Sequence, residues 1–523
     1  MTLFSRLAPF AAAAVLSLAV TAPVAAQELV VGLSTPVTSL DPHFHNLTPN
    51  NNVADHVFEK LVGKDAKEQL KPQLAESWKA LDETTWEFRL RKGVKWHDGS
   101  DFTADDVIAS IKRIPTVPNS PASFATYTRP IADITAADKH TLRIKTLRAH
   151  PLLPNDLVAV RIIPARLAAA AKSEEFNSGK LMIGTGPYRF KEYVAGDRVV
   201  LERNDAYWGA KPNWKNVTFR PLTAAGPRVA ALLAGDVDMI ENPPIQDFER
   251  IKSSGNTVVQ GLSNRVIYIH LDQFAGPGWT TPGVKGTDGK NPFLDKRVRE
   301  AMSKAINRDA IVERIMGGVA SPAGELLPVP LFGTSPDRKP DRFDPEAAKK
   351  LLADAGYPNG FELVLGSPND RYINDEKVAQ AVAQMLARIG IKTSVDSMTA
   401  STFFTKRNKY EFTAYLAGWG ADTNEMSNSI IALIATQDAA PSFGNTNRGR
   451  YSNKTVDDLT IKALGTIDDA QREALLRQAS KVGMEDYGII PLHFEVTPWA
   501  FKPTLSYAAR VDQYTLAFEV KQK

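Results

Sequence analysis

The sequence predicts an α/β protein with mixed sheets, and three observations carry that expectation. Trp86, Phe88 and Leu90 alternate with Glu87 and Arg89, the period of a half-buried strand. Residues 361–395 read as strand, helix, strand. Phe361, Leu363 and Leu365 alternate, Val378, Val382, Met385 and Leu386 share a helical face closed by Gly390, and Ile391, Thr393 and Val395 alternate again. A connection of that length joins parallel strands by a right-handed crossover. Thirdly, polar residues suited to capping stand before apolar-faced helical segments, Thr103, Asp295 and Asn307 among them.

In chain order, residues 29–33 form the first expected strand, and Ser39-Leu40-Asp41-Pro42-His43 a turn. A helix is expected over 51–61, with Val53, His56 and Val57 on one face and Phe58 and Leu61 extending it. After the strand at 86–90, Gly93 turns the chain, Val94 and Trp96 resume the strand, and Asp98-Gly99 turns it again. Thr103 then caps a helix whose first turn carries Asp105 and Asp106, favoured by the helix dipole, and whose face is Val107, Ile108 and Ile111; Pro115 closes it. Asp295 opens a helix with Val298, Ala301, Met302 and Ala305 inward. Asn307 opens another with Ile311, Val312 and Ile315, stopped by Gly317-Gly318. Residues 328–345 form a proline-rich connection. Asp344-Pro345 starts a helix faced by Ala348, Leu351, Leu352 and Ala355 and ended by Gly356. Residues 470–484 are an amphipathic helix, and 489–494 a returning strand.

Residues 410–425 attract most attention. Tyr410, Phe412 and Ala414 alternate as the end of a buried strand, which breaks at Gly418 and Gly420 and presents Trp419 and then Asp422. Glycines permit close backbone approach, and an aromatic with one fixed charge at a strand end can floor and anchor a small-molecule pocket. The same pattern also fits an ordinary strand end with a core Trp and a surface carboxylate.

Composition narrows the function. The chain has 523 residues, 43% hydrophobic and 23% charged, which suits roughly two or three domains with a large core. A net charge of +4 gives no polyanion bias, so no nucleic-acid partner is expected. Residues 1–26 read as a signal peptide: Arg6 is the only charge, residues 7–20 are apolar, and Val24-Ala25-Ala26 places cleavage before Gln27. With no cysteine there is no disulfide, no lipid-modified N-terminal cysteine, no cysteine-ligated metal and no thiol nucleophile. An exported, untethered chain of this kind is expected in the periplasm. His-Glu-x-x-His, Gly-x-Ser-x-Gly and the phosphate-binding loop are all missing, so no catalytic residues are assigned. His43 and His45 beside Asp41 are read as structural rather than as a metal site, as is His97; no metal and no cofactor are expected.

Trp86-Glu87-Phe88-Arg89-Leu90-Arg91-Lys92-Gly93-Val94-Lys95-Trp96-His97-Asp98-Gly99, followed by Phe102-Thr103-Ala104-Asp105-Asp106-Val107, resembles the signature of family 5 extracellular solute-binding proteins, the peptide- and nickel-type binding proteins of ABC importers. Gly184-Thr185-Gly186-Pro187-Tyr188, Arg203-Asn204 with Tyr207-Trp208, Asp295-Lys296-Arg297-Val298-Arg299-Glu300-Ala301 with Asn307-Arg308, and residues 347–356 continue the resemblance in order along the chain. The resemblance implies a two-lobed periplasmic-binding-protein fold, hinged around a ligand, with an extra domain on the first lobe. By analogy the first lobe takes residues 27–65, 185–271 and 491–523, the extra domain 66–184 and the second lobe 272–490.

Gly418-Trp419-Gly420-Ala421-Asp422 is similar to the Gly-Trp-x-Ala-Asp of oligopeptide-binding members, which implies that Asp422 receives a ligand ammonium while Trp419 and Gly420 line the pocket. Leu416 departs from members with Arg at that position. Arg371 resembles the loop Arg that pairs with a ligand carboxylate in dipeptide-binding members, and guanidinium suits that task. Phe124 and Tyr127, in a Pro/Ser/aromatic loop, are candidates for the opposite wall. The expected function is capture of a short peptide or peptide-like zwitterion and its delivery, by a monomer, to an inner-membrane ABC permease. Nickel complexes, haem, opines or sugars and glutathione-like molecules are the alternative ligands. A periplasmic enzyme or chaperone on the same scaffold is the alternative of another class.

Overall fold

The computed structural model describes residues 28–277, 282–421, 423–440 and 443–523. The expected signal peptide and Asp422 lie outside the described residues.

The first strand, Glu28–Leu33, buries Leu29, Val31 and Leu33 and pairs in parallel with Asn216–Pro221 on one side and Met239–Glu241 on the other. Among the described residues it belongs to a mixed sheet of 12 strands, the largest of the molecule's sheets. One half of the sheet is built on Glu28–Leu33, Asn216–Pro221, Arg198–Arg203 and Tyr188–Val194; the other on Ala414–Gly420, Glu362–Pro368, Lys392–Met398 and Val284–Lys285. Two long antiparallel strands, Thr257–Leu271 and Ile490–Phe501, pass from one half into the other. Their pairing runs in one register from Thr257 to Leu262, breaks, and resumes at Val266. Beyond the break, alternation along the strand sends Ile267, Ile269 and Leu271 into a core with Val298, Met302 and Val378. Val266 and Tyr268 enter a second core with Tyr415, Met426 and Leu433.

A separate four-stranded antiparallel sheet holds Ala75–Ala80, Thr85–Leu90, Thr141–Thr146 and Ile131–Asp138. Phe88, Leu90, Leu142 and Ile144 from this sheet pack with Val107 and Ile111 of the helix Ala104–Arg113. Thr103 and Asp106 close a capping box on that helix, the backbone N–H of Thr103 donating to Asp106 Oδ2 at 2.8 Å. Asp295, Asn307 and Asp344 likewise accept from the first-turn amides of their helices. Glu362–Pro368 and Lys392–Met398 are parallel, with Asp375–Ala387 as the crossover helix.

Three local expectations need correction. The helix expected over 51–61 is Thr48–Val57. It starts early because Pro49 fits a first turn, and ends early because Phe58 and Leu61 belong to different cores, which a continuing helix could not serve. Val94 and Trp96 form no strand; Lys95 and Asp101 share a single bridge, and Trp96 is buried edge-on against Phe102. The strand expected to end near Ala414 begins there and runs to Gly420. Tyr410, at φ +60°, belongs to the turn after the helix Ala400–Asn408. The strand runs through Gly418, where a side chain would collide with Ile267 and Tyr372. No helix among the described residues is long and apolar enough to cross a membrane.

Candidate functional site

A cavity of about 310 Å³ opens where the first half of the molecule faces the register break of Thr257–Leu271. One wall comes from the helix Thr48–Val57, which contributes Asn51 and Asp55, from Lys60, Lys64, Glu68 and Arg161, and from the C-terminal stretch with Arg510, Asp512 and Tyr514. Phe124, Tyr127 and Asn155 join from the region around the small sheet, and Asn264, Arg265 and Gly420 form the facing side.

The wall is built from ion pairs. Asp55 accepts from Lys60 Nζ at 2.7 Å and from Arg161 Nε at 2.8 Å. Burial pushes the Asp55 carboxyl up, but Arg161 and Lys60 overcome this and hold it below the usual carboxylate range. Lys64 Nζ lies 2.9 Å from Glu68. Burial, with the neighbouring Asp512 charge adding to it against the pull of Lys64, raises Glu68 to about 7. Arg510 is held by Asp512 at 2.9 Å and Glu519 at 2.7 Å. Polar side chains are interleaved: Asn51 donates to Tyr514 Oη at 2.9 Å and Asn46 to Tyr127 Oη at 3.2 Å. Such a surface offers both signs of charge, hydrogen-bonding groups and aromatic faces to a polar ligand.

Among the sequence-predicted residues, the structure brings Phe124, Tyr127 and Gly420 together on the cavity. Trp419 projects from the other face of its strand; its Nε1 donates to Asn428 Oδ1 at 2.9 Å and its ring packs on the core of Tyr268 and Tyr415. Arg371 stands exposed outside this lining, its guanidinium over the Tyr372 ring at 5.1 Å. The neighbours of position 422 are anchored: Asn264 Nδ2 donates to Ala421 O at 3.1 Å and to Asn424 Oδ1 at 2.8 Å, and Asn155 Nδ2 donates to Thr423 O at 3.2 Å. Asn264, Arg265, Asp55, Lys60 and Arg161 escape the sequence reading. Only the first two leave a signal, because the polar Ser263-Asn264-Arg265 stands directly before the apolar run Val266-Ile267-Tyr268-Ile269.

His43 and His97 hydrogen-bond to the frame around the cavity. His43 is buried, with Nε2 2.7 Å from Arg161 O and Nδ1 3.0 Å from Arg113 Nη1, and burial beside Arg113 pushes its pKa down to about 4. His97 donates from Nε2 to Gly186 O and accepts the Gly184 amide at Nδ1. That strap packs so tightly on the helix end that a Cβ at Gly184 would lie 1.7 Å from Val57 O.

Residues 69–440 match the bacterial extracellular solute-binding proteins, family 5. The chain is 31% identical over 481 residues to the glutathione-binding protein GsiB of Shigella boydii serotype 4, covering 90% of each. Its fold superimposes on HbpA2 from Haemophilus parasuis with a TM-score of 0.82 at 24% identity, covering 95% of this chain and 100% of that one. The unliganded open form of MppA, a periplasmic murein tripeptide binding protein, gives 0.80 at 27% identity, with 95% and 98% covered. The chain therefore belongs to family 5 of the bacterial extracellular solute-binding proteins, and is the non-enzymatic, solute-binding component of an ABC importer.

Proposed function

We propose that the protein captures a short, peptide-like zwitterion of the glutathione class in the periplasm, between two closing lobes, and hands it to an inner-membrane permease. The observation that carries this reading is the cavity lining, in which fixed charges of both signs alternate with amide and phenol groups. A zwitterion loses hydration on entering a closed cleft, and each of its charges needs a fixed partner there. Similarity to glutathione-binding relatives supports the choice within that class. In this reading residues 27–65, 185–271 and 491–523 form one lobe, 66–184 the extra domain and 272–490 the other lobe, with cleavage of the leader after Ala26. The hinge lies where the two long strands change register, at Leu262–Val266. Asp422 receives the ammonium, and Arg371, exposed in this structure, meets a carboxylate when the lobes close.

Native mass spectrometry of protein taken from the periplasm tests the ligand. A one-to-one complex whose released solute is glutathione or a related small peptide is the expected result. A metal complex, haem or sugar as the retained solute, with no displacement by glutathione, would overturn it.

A further inference from the structure

Five cations, Lys60, Lys64, Arg161, Arg265 and Arg510, and four carboxylates, Asp55, Glu68, Asp512 and Glu519, line the cavity. Each of the other four cations is paired to a carboxylate that also lines it: Lys60 and Arg161 share Asp55, Lys64 holds Glu68, and Arg510 holds Asp512 and Glu519. Arg265 differs. Its partner is Glu495, 3.2 Å from its Nε, which lies behind the cavity on the second long strand. Among the described lining residues, Arg265 is therefore the cation whose carboxylate partner lies outside the lining.

Geometry places that charge where a ligand can use it. Arg265 sits in the register break between Leu262 and Val266 and pairs across to Gly420, which also lines the cavity. A Cβ at Gly420 would lie 3.3 Å from Arg265 Nη2, so the glycine leaves the guanidinium edge uncovered. Glu495 takes the Nε side, and is itself steadied by the Ile373 amide at 3.3 Å. The fork is thus aimed from behind, with its Nη edge beside the cavity, the arrangement that suits bidentate recognition of a carboxylate.

We propose that Arg265 is the subsite for a ligand carboxylate beyond the one that balances its ammonium, so that the site selects peptides carrying one more carboxylate than ammonium groups. This rests on the peptide-like reading above and goes beyond it, because it makes the ligand's net charge a selected property and names the residue. Since Arg265 and Glu495 stand on the two strands that cross between the lobes, carboxylate binding is also registered at the hinge.

Calorimetric titration of wild type and of Arg265→Gln with glutathione and with its two carboxylate monoethyl esters tests the proposal. Arg265→Gln/Glu495→Gln, which leaves no buried carboxylate without its arginine, is titrated in parallel, and thermal unfolding checks that the variants are folded. In wild type, one monoester should bind at least about thirtyfold more weakly than glutathione. In the double variant glutathione should lose a similar factor and that ester should lose little more. If wild type binds glutathione and both ester penalties survive unchanged in the double variant, Arg265 is not the carboxylate subsite, and the ligand reading stands without it. If wild type binds neither glutathione nor its esters, the ligand reading fails and takes this inference with it.

Discussion

Replacing Gly418 by alanine should destabilise the lobe that carries the strand Ala414–Gly420. The added methyl would sit 2.7 Å from Ile267 Cδ1 and 2.8 Å from Tyr372 Cε1. The Ile267 methyl is a side-chain tip and can turn aside. The Tyr372 ring has less freedom, since the residue is 8% exposed and its hydroxyl donates to Gly418 O at 3.1 Å. Overpacking of this kind costs about 1–3 kcal/mol, and loss of the Tyr372 hydrogen bond adds about 1 kcal/mol. A loss of about 2–4 kcal/mol is therefore expected in urea unfolding followed by fluorescence. Gly226→Ala is the control: the residue is exposed in the first turn of the helix Ala225–Ala234 and, its chain neighbours Ala225 and Pro227 aside, nothing lies within 4 Å of the added carbon, so the helix-propensity gain and the crowding against the Pro227 ring should leave stability within about 1 kcal/mol of wild type. If Arg371, which adjoins Tyr372, meets the ligand as proposed, Gly418→Ala should also weaken ligand binding. Equal unfolding midpoints for the two variants would refute the close-packing argument for glycine at 418.

Burial pushes the Glu59 carboxyl up to about 7, against the hydrogen bonds from Trp208 and Tyr207 at 2.8 and 2.9 Å. The folded state thus holds this proton more tightly than the unfolded chain, and the group's contribution is complete below about 4.5 and lost as pH rises through about 7, on the order of 3 kcal/mol in all; Glu59→Gln should remove that slope when stability is measured across the window. Asp55→Asn, which leaves Lys60 and Arg161 without their shared carboxylate, should cost about 3–5 kcal/mol in urea unfolding. Asp422→Asn and Arg371→Ala should each weaken binding of the peptide ligand by about 2–5 kcal/mol without unfolding the protein, and N-acetylation of the ligand should hurt wild type much more than Asp422→Asn in calorimetry.

Local chemistry was the legible part of this fold. Thr103, Asp295, Asn307 and Asp344 announce their helices because a cap is satisfied within a few residues. The parallel pair around the helix Asp375–Ala387 is legible for the same reason, since its three elements are consecutive. The crossing of Thr257–Leu271 with Ile490–Phe501 is not, because those partners are far apart in sequence and nothing local specifies a register break. Tyr410, Phe412 and Ala414 misled because alternation persists through a turn whose left-handed residue is not a glycine. The site divides likewise. Phe124 and Tyr127 could be found as aromatics in a polar loop, whereas the Asp55–Arg161 pair joins residues 106 positions apart and exists only once the chain has folded.

The central claim is that a small peptide ligand is enclosed between two lobes that close about the register break of the long strands. Small-angle X-ray scattering of the ligand-free protein and of the protein saturated with glutathione tests it most directly. Closure predicts a smaller radius of gyration in the saturated sample, with a profile no longer fitted by the ligand-free structure. Superimposable profiles, at a glutathione concentration shown by calorimetry to fill the site, would contradict it.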